Sequence, residues 1–444
     1  MKIVIKKEAL GLKLLVITNA LCWYHFFYVL RLPFYLSQAV KADNLIFINA
    51  VIGLLTCLHC YNNYHYRMVK YSNWLSNYFL LVMVAYITMC IYTAIVYPKQ
   101  DLFTTLKLGS TFLQLLFVPA FLVIFEVDGG EKNLINILDN IVFIWCIVLI
   151  AQSALYSASG SFLFDFNSYY LSNIHGGVAT RSYGIRASIG CLGNFCILYN
   201  FSNLYSHKID GWRRTWTLLK FIVEIYCLIA IQQTRACYLI IAICILVQIL
   251  LGRKSVRVRV IESLAIITVV ALLFFSGAIQ NFIQNLSAVS VAEDSMSSSN
   301  RIYAITYYVQ TFIKKPLFGN GFVSCTAGSP YFAVEHGNLG IAYYGDVGIF
   351  GLLAETGIFS IIYFIYPFFK IIESFKTLAS YKFILGTDFN FYVSLIFYLL
   401  LSSVTLIIVN DGRAYLFPII MAIFLYNEKK CLQGDVEDSV KYLV

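Results

Sequence analysis

The stretch NRIYAITYYVQTFIKKPLFGNGF at residues 300–322, followed by EHGNLGIAYYGDVGIFG at 335–351, is the most informative part of this sequence. It places an arginine, a glycine-rich turn and a histidine in the one long polar segment of a chain otherwise made of apolar windows. A long loop without membrane character is usually functional or disordered. We therefore expect the functional site in this segment.

The composition indicates a membrane protein. Of the 444 residues, 60% are hydrophobic and 12% are charged, which is more apolar surface than a soluble domain can bury. Apolar windows of about 17 to 24 residues recur, and each can cross a bilayer as a helix that satisfies its own backbone groups. The sequence thus predicts an all-α polytopic membrane protein with about twelve transmembrane helices, at 10–30, 44–60, 75–97, 102–125, 134–156, 183–204, 216–233, 235–251, 260–278, 347–369, 389–408 and 413–427.

These spans divide the chain into four parts. Transmembrane helices one to nine occupy 1–278, a long loop with a short amphipathic helix occupies 279–346, helices ten to twelve occupy 347–427, and a tail occupies 428–444. Lysine and arginine are more frequent in the loops that share a side with the N-terminus, so the positive-inside rule favours two cytoplasmic termini and an extracytoplasmic long loop. The net charge of +9 therefore reports orientation and does not indicate a nucleic-acid partner.

Few charged residues lie within the predicted spans. Lys220 and Glu224 are four residues apart in the seventh span, so they can pair along one helix.

An amphipathic helix is predicted in the long loop. Ile302, Ile305, Val309 and Phe312 recur at helical spacing and predict its apolar face, and the segment KKP at 314–316 ends it.

Arg301 would lie in the first turn of that helix. A cation there opposes the helix dipole, so an anion is expected nearby. Free backbone amides together with a guanidinium group suit phosphate oxygens. The alternative is that Arg301 reaches lipid headgroups or pairs with Glu293 or Asp294.

Three more arginines lie at outer ends of predicted spans. Arg181 and Arg186 lie in ATRSYGIRAS, and Arg235 lies in QQTRACYLI. Each alone could be an interfacial anchor. Together with Arg301, they indicate a pocket for a multiply charged anion.

His336 is a candidate general base. A histidine titrates near neutral pH and can accept a proton from an attacking hydroxyl. Glu335 beside it is an equally legitimate candidate. The glycines that follow, at 345, 348, 351 and 357, stand at intervals that favour close helix packing.

No cofactor or metal is indicated. The sequence contains neither the phosphate-binding G-x-x-x-x-G-K-[ST] nor the dinucleotide-binding G-x-G-x-x-G pattern. The first outer loop, RLPFYLSQAVKAD, lacks the paired carboxylates that would hold a divalent ion on a lipid phosphate.

These pieces resemble the O-antigen polymerase and ligase superfamily, which contains the Wzy-type polymerases and their ligase relatives. The residues that carry the resemblance are RSYG at 181–184, TRA at 234–236, the run from Asn300 to Phe322, and His336 followed by GDVGIFG. Many relatives have histidine directly followed by asparagine, whereas here Gly337 intervenes before Asn338.

The resemblance implies a GT-C-like architecture and a glycosyltransferase in the cytoplasmic (inner) membrane whose active site faces the periplasm or exterior. It implies metal-independent, inverting polymerisation of undecaprenyl-diphosphate-linked repeat units into O-antigen, capsular polysaccharide or exopolysaccharide. In this interpretation Arg181, Arg235 and Arg301, with Arg186 as a weaker member, bind the diphosphate, and Arg301 and His336 act in catalysis. The implied partners are the lipid-linked glycan, membrane lipid, and a flippase and chain-length regulator of the same pathway.

Two alternatives stay open. A ligase would move the finished glycan to a lipid or protein acceptor. A transporter or flippase of lipid-linked sugars would suit twelve spans, although the two halves of the chain show no internal similarity.

Overall fold

The computed structural model describes residues 9–23, 42–64, 67, 71–160, 180–181, 184–185, 187–206, 209–232, 235–252, 260, 264, 268, 300–324, 329–343, 347–385, 387–405 and 414–441. The ninth predicted span at 260–278 and the start of the long loop at 279–299 lie almost wholly outside these residues.

The described elements are mostly helical. The α-helices are α1 Leu10–Trp23, α2 Ala42–Asn63, α3 Ser72–Val96, α4 Leu102–Gly109, α5 Val118–Asp128, α6 Lys132–Ser159, α7 Gly190–Tyr205, α8 Gly211–Tyr226, α9 Arg235–Leu250, α10 at 300–314, α11 Phe332–His336, α12 Ile349–Thr356, α13 Tyr366–Ser380, α14 Lys382–Leu385, α15 Thr387–Thr405 and α16 Leu416–Lys441. Two short strands, β1 Thr180–Arg181 and β2 Gly184–Ile185, pair antiparallel. Shorter helical turns of other types join several helices: 3-10 turns at Ser110–Phe117 and Gly357–Phe359, and π-helical turns at Cys227–Gln232 and Ile361–Ile365.

Within the described part of the chain, four helical segments are long and apolar enough to cross a membrane: Trp74–Val96, Leu102–Asp128, Lys132–Ser159 and Gly211–Gln232. A fifth is counted if the bent pair Ile349–Phe359 and Ile361–Ser380 forms one span. The described part of the chain is thus helical and has segments able to span a membrane, while twelve spans and a GT-C-like architecture stay predictions.

The central segment Leu102–Asp128 forms the middle of the helical bundle. Its apolar window is 94% buried inside the protein, as expected for a helix that is hydrophobic on all sides. Large side chains such as Phe117, Phe121 and Phe125 are fully buried there. Gly53 of α2 lets Phe117 approach closely, since a Cβ at Gly53 would lie 2.5 Å from the phenylalanine ring. The bundle is therefore built around the fourth predicted span.

The structure corrects several predicted boundaries. In the region of the sixth predicted span, helix α7 begins at Gly190 and not at 183, because Thr180–Arg181 and Gly184–Ile185 pair as strands. The tenth span is not one straight helix, because its two parts bend by 112° around the break near residue 360. The predicted tail continues the last helix, since α16 extends from Leu416 to Lys441.

The ion-pair partner of Lys220 in the structure is Asp139 and not Glu224. Lys220 Nζ donates instead to Asp139 Oδ2 of α6 over 2.6 Å, and both side chains are buried. Asn200 Nδ2 donates to Asp139 Oδ1 over 2.7 Å and to Glu224 Oε2 over 3.1 Å. The cause is tertiary packing, because α6, α7 and α8 bring these polar groups together in an apolar interior where charges need partners.

Candidate functional site

The site is built around the turn at 316–321, which follows α10. The predicted stop at 314–316 is confirmed, since α10 ends at 314 and Gly319 N–H donates to Lys315 O over 2.8 Å. Gly319 and Gly321 have φ values of +60° and +79°, in a backbone region that residues with a side chain rarely adopt. A Cβ at Gly319 would lie 2.3 Å from the Ala354 carbonyl oxygen. The turn therefore requires glycine both for its backbone and for its close contact with α12.

This turn fits into the break of the bent helix pair. The N–H groups of Asn320 and Gly321 donate to Ala354 O and Glu355 O over 2.7 and 2.8 Å. In return, Ile358 N–H donates to Pro316 O over 2.9 Å. A broken helix leaves backbone groups without helical partners, and at membrane depth such groups need partners from the protein. The turn and the break thus satisfy each other.

The end of α3 and the connection after it hold the other side of the turn. The rings of Tyr92 and Phe318 stack at 4.4 Å. Thr93 Oγ1 accepts the Phe322 N–H over 3.0 Å. The Gln100 amide donates to Phe322 O over 2.7 Å and accepts from Ser324 N–H over 2.8 Å. These contacts join segments more than two hundred residues apart into one scaffold.

Three side-chain donors position the short helix α11. Tyr307 Oη and Asn320 Nδ2 both donate to Val334 O, over 2.8 and 2.9 Å. Tyr308 Oη donates to Glu335 O over 3.0 Å. A helix of five residues has too few internal hydrogen bonds to be stable alone. The turn and α10 therefore hold the two candidate bases in place.

His336, at the end of α11, is buried with 5% exposure. Its ring stacks on Phe332 at 4.1 Å and 7°, and Tyr343 meets it edge-on at 4.8 Å. Its Nδ1 lies 3.3 Å from Phe332 O. In the tautomer that carries a proton on Nδ1, this contact is a donated hydrogen bond and Nε2 is the basic nitrogen. Glu335 is buried as well, at 8% exposure.

Arg301 lies in the first turn of α10, as predicted, and its side chain is exposed. It shares a helix face with Ala304 and Tyr308, at three and seven residues along the chain. Both of these are buried, in a cluster that includes Ala342 and Val347. The structure therefore packs Ala304 and Tyr308 of α10 in one cluster with Ala342 and Val347, which follow His336, while Arg301 itself stays exposed.

The predicted helix is confirmed, while only part of its predicted apolar face packs against the protein. Ile302 is 68% exposed and Val309 is also exposed, whereas Ile305 and Phe312 are partly buried. The helix packs instead through the small Ala304 and through Tyr308, whose hydroxyl finds a backbone acceptor. Apolar periodicity missed this face because tyrosine can bury its ring while its hydroxyl is hydrogen-bonded.

Two of the remaining arginines lie in described backbone, although their side chains lie outside the described part of the chain. Arg181 is in strand β1, opposite Gly184, and Arg235 begins α9. Arg186 lies outside the described residues altogether. The chain after the ribbon contacts the segment before α9, because Ala187 N–H donates to Ile231 O over 3.3 Å and Ile189 N–H to the Gln232 side chain over 3.0 Å.

Helix α15 contacts both α9 and Gly348, the residue just before α12. Gln248, late in α9, donates to Ser394 over 3.0 Å, whereas Cys237, early in α9, lies near Tyr398 further along α15. The two helices thus run antiparallel, so the start of α9 and the end of α15 share one end of the pair. Gly348 contacts that end, since a Cβ there would lie 2.2 Å from Ser403 O. The predicted packing role is confirmed for this glycine.

Sequence reasoning missed Lys315 and Asn320 as site residues. Both lie in the KKPLFGNGF run, whose local pattern indicates only a helix stop and a glycine turn. An asparagine between two turn glycines is the one local signal, because its side chain is free to bond outside the turn.

Comparison with known proteins gives a family match. Residues 221–365 match the family model described as O-Antigen ligase. No curated protein matches the chain. The matched segment contains α9, the turn, α11 and α12, and it excludes RSYG at 181–184. The match confirms the predicted resemblance to the O-antigen polymerase and ligase superfamily for this part of the chain.

Proposed function

We propose that this protein is a glycosyltransferase that polymerises undecaprenyl-diphosphate-linked repeat units on the outer side of the cytoplasmic membrane. The observation that carries the proposal is that the O-Antigen ligase match covers the turn, α11 and the start of α9. The product would be O-antigen, capsular polysaccharide or exopolysaccharide. Both termini would then be cytoplasmic, as the distribution of lysine and arginine favours.

In this proposal the arginines bind the leaving group. Attack by an acceptor hydroxyl on the anomeric carbon forms the new glycosidic bond and inverts that carbon. The bond to the diphosphate breaks, and its electron pair leaves on the diphosphate oxygen. Arg301, Arg181 and Arg235, with Arg186 as a weaker member, would stabilise this growing charge without a metal ion. In support, Arg301 is exposed at the start of α10, and Tyr307 and Tyr308 of the same helix hold α11, which carries His336.

His336 would orient the acceptor and take its proton. In the tautomer with Nδ1 bonded to Phe332 O, Nε2 is the proton acceptor. Its burial between Phe332 and Tyr343 restricts the ring to one orientation, which favours proton transfer along one direction. Glu335 stays the alternative base, since it lies on the same short helix.

The experiment compares variants in a deletion strain that lacks the native chain. We expect Arg301→Ala and His336→Ala to abolish long-chain glycan, and Glu335→Gln to retain it if histidine is the base. Lys314→Ala is the matched control, because it removes an exposed cation from the same helix. Normal polymer from both Arg301→Ala and His336→Ala, with properly inserted protein, would refute the proposal.

A ligase is the second candidate, because the family model that matches is described as O-Antigen ligase. The two activities share the donor and differ in the acceptor. Loss of a polymerase leaves single repeat units, whereas loss of a ligase leaves full-length polymer on the lipid carrier. The carrier-linked glycan profile of the deletion strain therefore separates them.

A further inference from the structure

Two adjacent lysines at the end of α10 have different environments. Lys314 is exposed, whereas Lys315 is half-buried. Lys315 Nζ donates to Tyr97 Oη and to Asn320 Oδ1, over 3.3 Å in each case, and lies 5.8 Å from the centre of the Tyr97 ring. The ammonium group is thus held between α3 and the turn.

The acceptors of Lys315 are neutral. In the described segments, no carboxylate lies within ion-pair distance of its ammonium, although several other lysines have such a partner. Burial lowers the pKa of Lys315, because a partly desolvated cation is less stable than one in water. The C-terminal end of α10 supplies only a partial negative charge. A third ammonium proton remains for another acceptor, since an ammonium has three donors.

Lys315 is linked to the site through one residue. Asn320 accepts from Lys315 with Oδ1 and donates to Val334 O with Nδ2. Val334 directly precedes Glu335 and His336 in α11. The ammonium therefore lies one side chain away from the helix that carries both candidate bases.

We propose that Lys315 is a further anion-binding residue of this site and that it contacts a phosphate oxygen of the bound substrate. A lysine ammonium binds phosphate as a compact point charge, and here Tyr97 and Asn320 hold it in position before the anion arrives. The inference that Lys315 binds an anion rests on the geometry of its ammonium group. The identity of the anion as a glycosyl-bearing diphosphate rests on the proposed function.

The test measures binding of inorganic pyrophosphate to the full chain in nanodiscs of zwitterionic lipid by calorimetry. We expect Lys315→Met to weaken binding by about tenfold or more, the scale of losing one hydrogen bond to a charged group. Lys314→Met, the matched control, should bind as the unsubstituted protein does. Lys315→Arg should retain part of the affinity, because it keeps the charge but changes its geometry.

The melting temperature of each variant separates binding from folding. If Lys315→Met lowers the melting temperature, Lys315→Gln replaces it in the comparison, because glutamine can still donate a hydrogen bond within the turn. The proposal is overturned if the unsubstituted protein does not bind pyrophosphate, or if a folded variant without the charge binds as tightly. If only Lys315 variants lose binding while glycan linkage is unchanged in the deletion strain, the anion site stands and the proposed glycosyl transfer fails.

Discussion

Asn320 joins the glycine turn to the helix of the candidate bases, because its Nδ2 donates to the Val334 carbonyl oxygen over 2.9 Å. The same residue bonds Ala354 O through its backbone N–H over 2.7 Å. One asparagine thus connects α11 with the end of α12. The position of Glu335 and His336 depends on a contact that no local sequence pattern describes.

Replacing Asn320 tests this connection. We expect Asn320→Ala to lower the local stability of α11 by about 0.5–1.5 kcal/mol, the net value of one hydrogen bond. The loss is limited to one bond because Val334 O still accepts from Tyr307. Hydrogen exchange of residues 332–336 should rise and glycan transfer should fall. Replacement of the exposed Asn62 by Ala should change neither. Unchanged exchange at 332–336 in Asn320→Ala would show that the bond does not position the helix.

The turn glycines offer a matched pair. Gly319 and Gly340 have nearly the same φ, +60° and +70°, so alanine costs about 1–2 kcal/mol of backbone strain at either position. Only Gly319 also has a close contact, since its Cβ would lie 2.3 Å from Ala354 O, whereas the nearest atom to a Cβ at Gly340 is 3.7 Å away. Gly319→Ala should therefore lower both the melting temperature and the glycan transfer activity clearly more than Gly340→Ala does. Equal effects would mean that the approach to α12 relaxes at little cost.

The buried charged residues of α6 and α8 predict different effects on stability for two nearby substitutions. Lys220→Met leaves Asp139 buried without its ion-pair partner, which should cost about 3–5 kcal/mol. Glu224→Gln removes one of two carboxylates that share Asn200, so we expect it to be neutral or mildly stabilising. Thermal unfolding in one detergent measures both. A larger loss in Glu224→Gln than in Lys220→Met would contradict this assignment of partners.

The start of α4, next to the site, is expected to lose stability in acid because Asp101 caps it. Its carboxylate accepts from the Thr104 hydroxyl and from the Thr104 N–H, and these hydrogen bonds lower the pKa of Asp101. Since the folded pKa is below the unfolded value, the stabilisation is present above the unfolded pKa and is lost as pH falls through the folded pKa. The protection of the Thr104 amide, which is the intrinsic exchange rate divided by the observed rate at the same pH, should therefore fall in acid. Asp101→Ala should show low protection at every pH, and Asp101→Asn, which retains an acceptor, should show protection that does not change with pH.

Much of the scaffold was predictable from local patterns. The hydropathy of 102–125 and 134–156 correctly predicted segments able to span a membrane, because apolar length and internal backbone hydrogen bonding are properties of a segment by itself. The stop of α10 at 314 followed from KKP, since proline lacks the N–H that a helix needs. The close packing at Gly348 also followed from the spacing of the glycines alone.

The errors share one physical cause. The bend of 112° in the tenth span, the packing of α10 through Tyr308 and the pairing of Lys220 with Asp139 all depend on residues distant in sequence. The bend is supported by the turn at 316–321, whose backbone groups replace the missing helical partners. Periodicity cannot anticipate such partners because it describes one segment at a time.

The sequence alone determined that the chain has apolar segments able to span a membrane, that a helix precedes the KKP stop at 314–316, and that arginines, a glycine turn and a histidine occur together in the family-like segment. These features follow from hydropathy, backbone sterics and residue chemistry. Only the tertiary structure decided that Lys315 and Asn320 face Tyr97 and Val334, and that α11 is held by the turn and α10. Such contacts join segments whose individual interactions are weak, so they become stable only when the packed bundle brings them together.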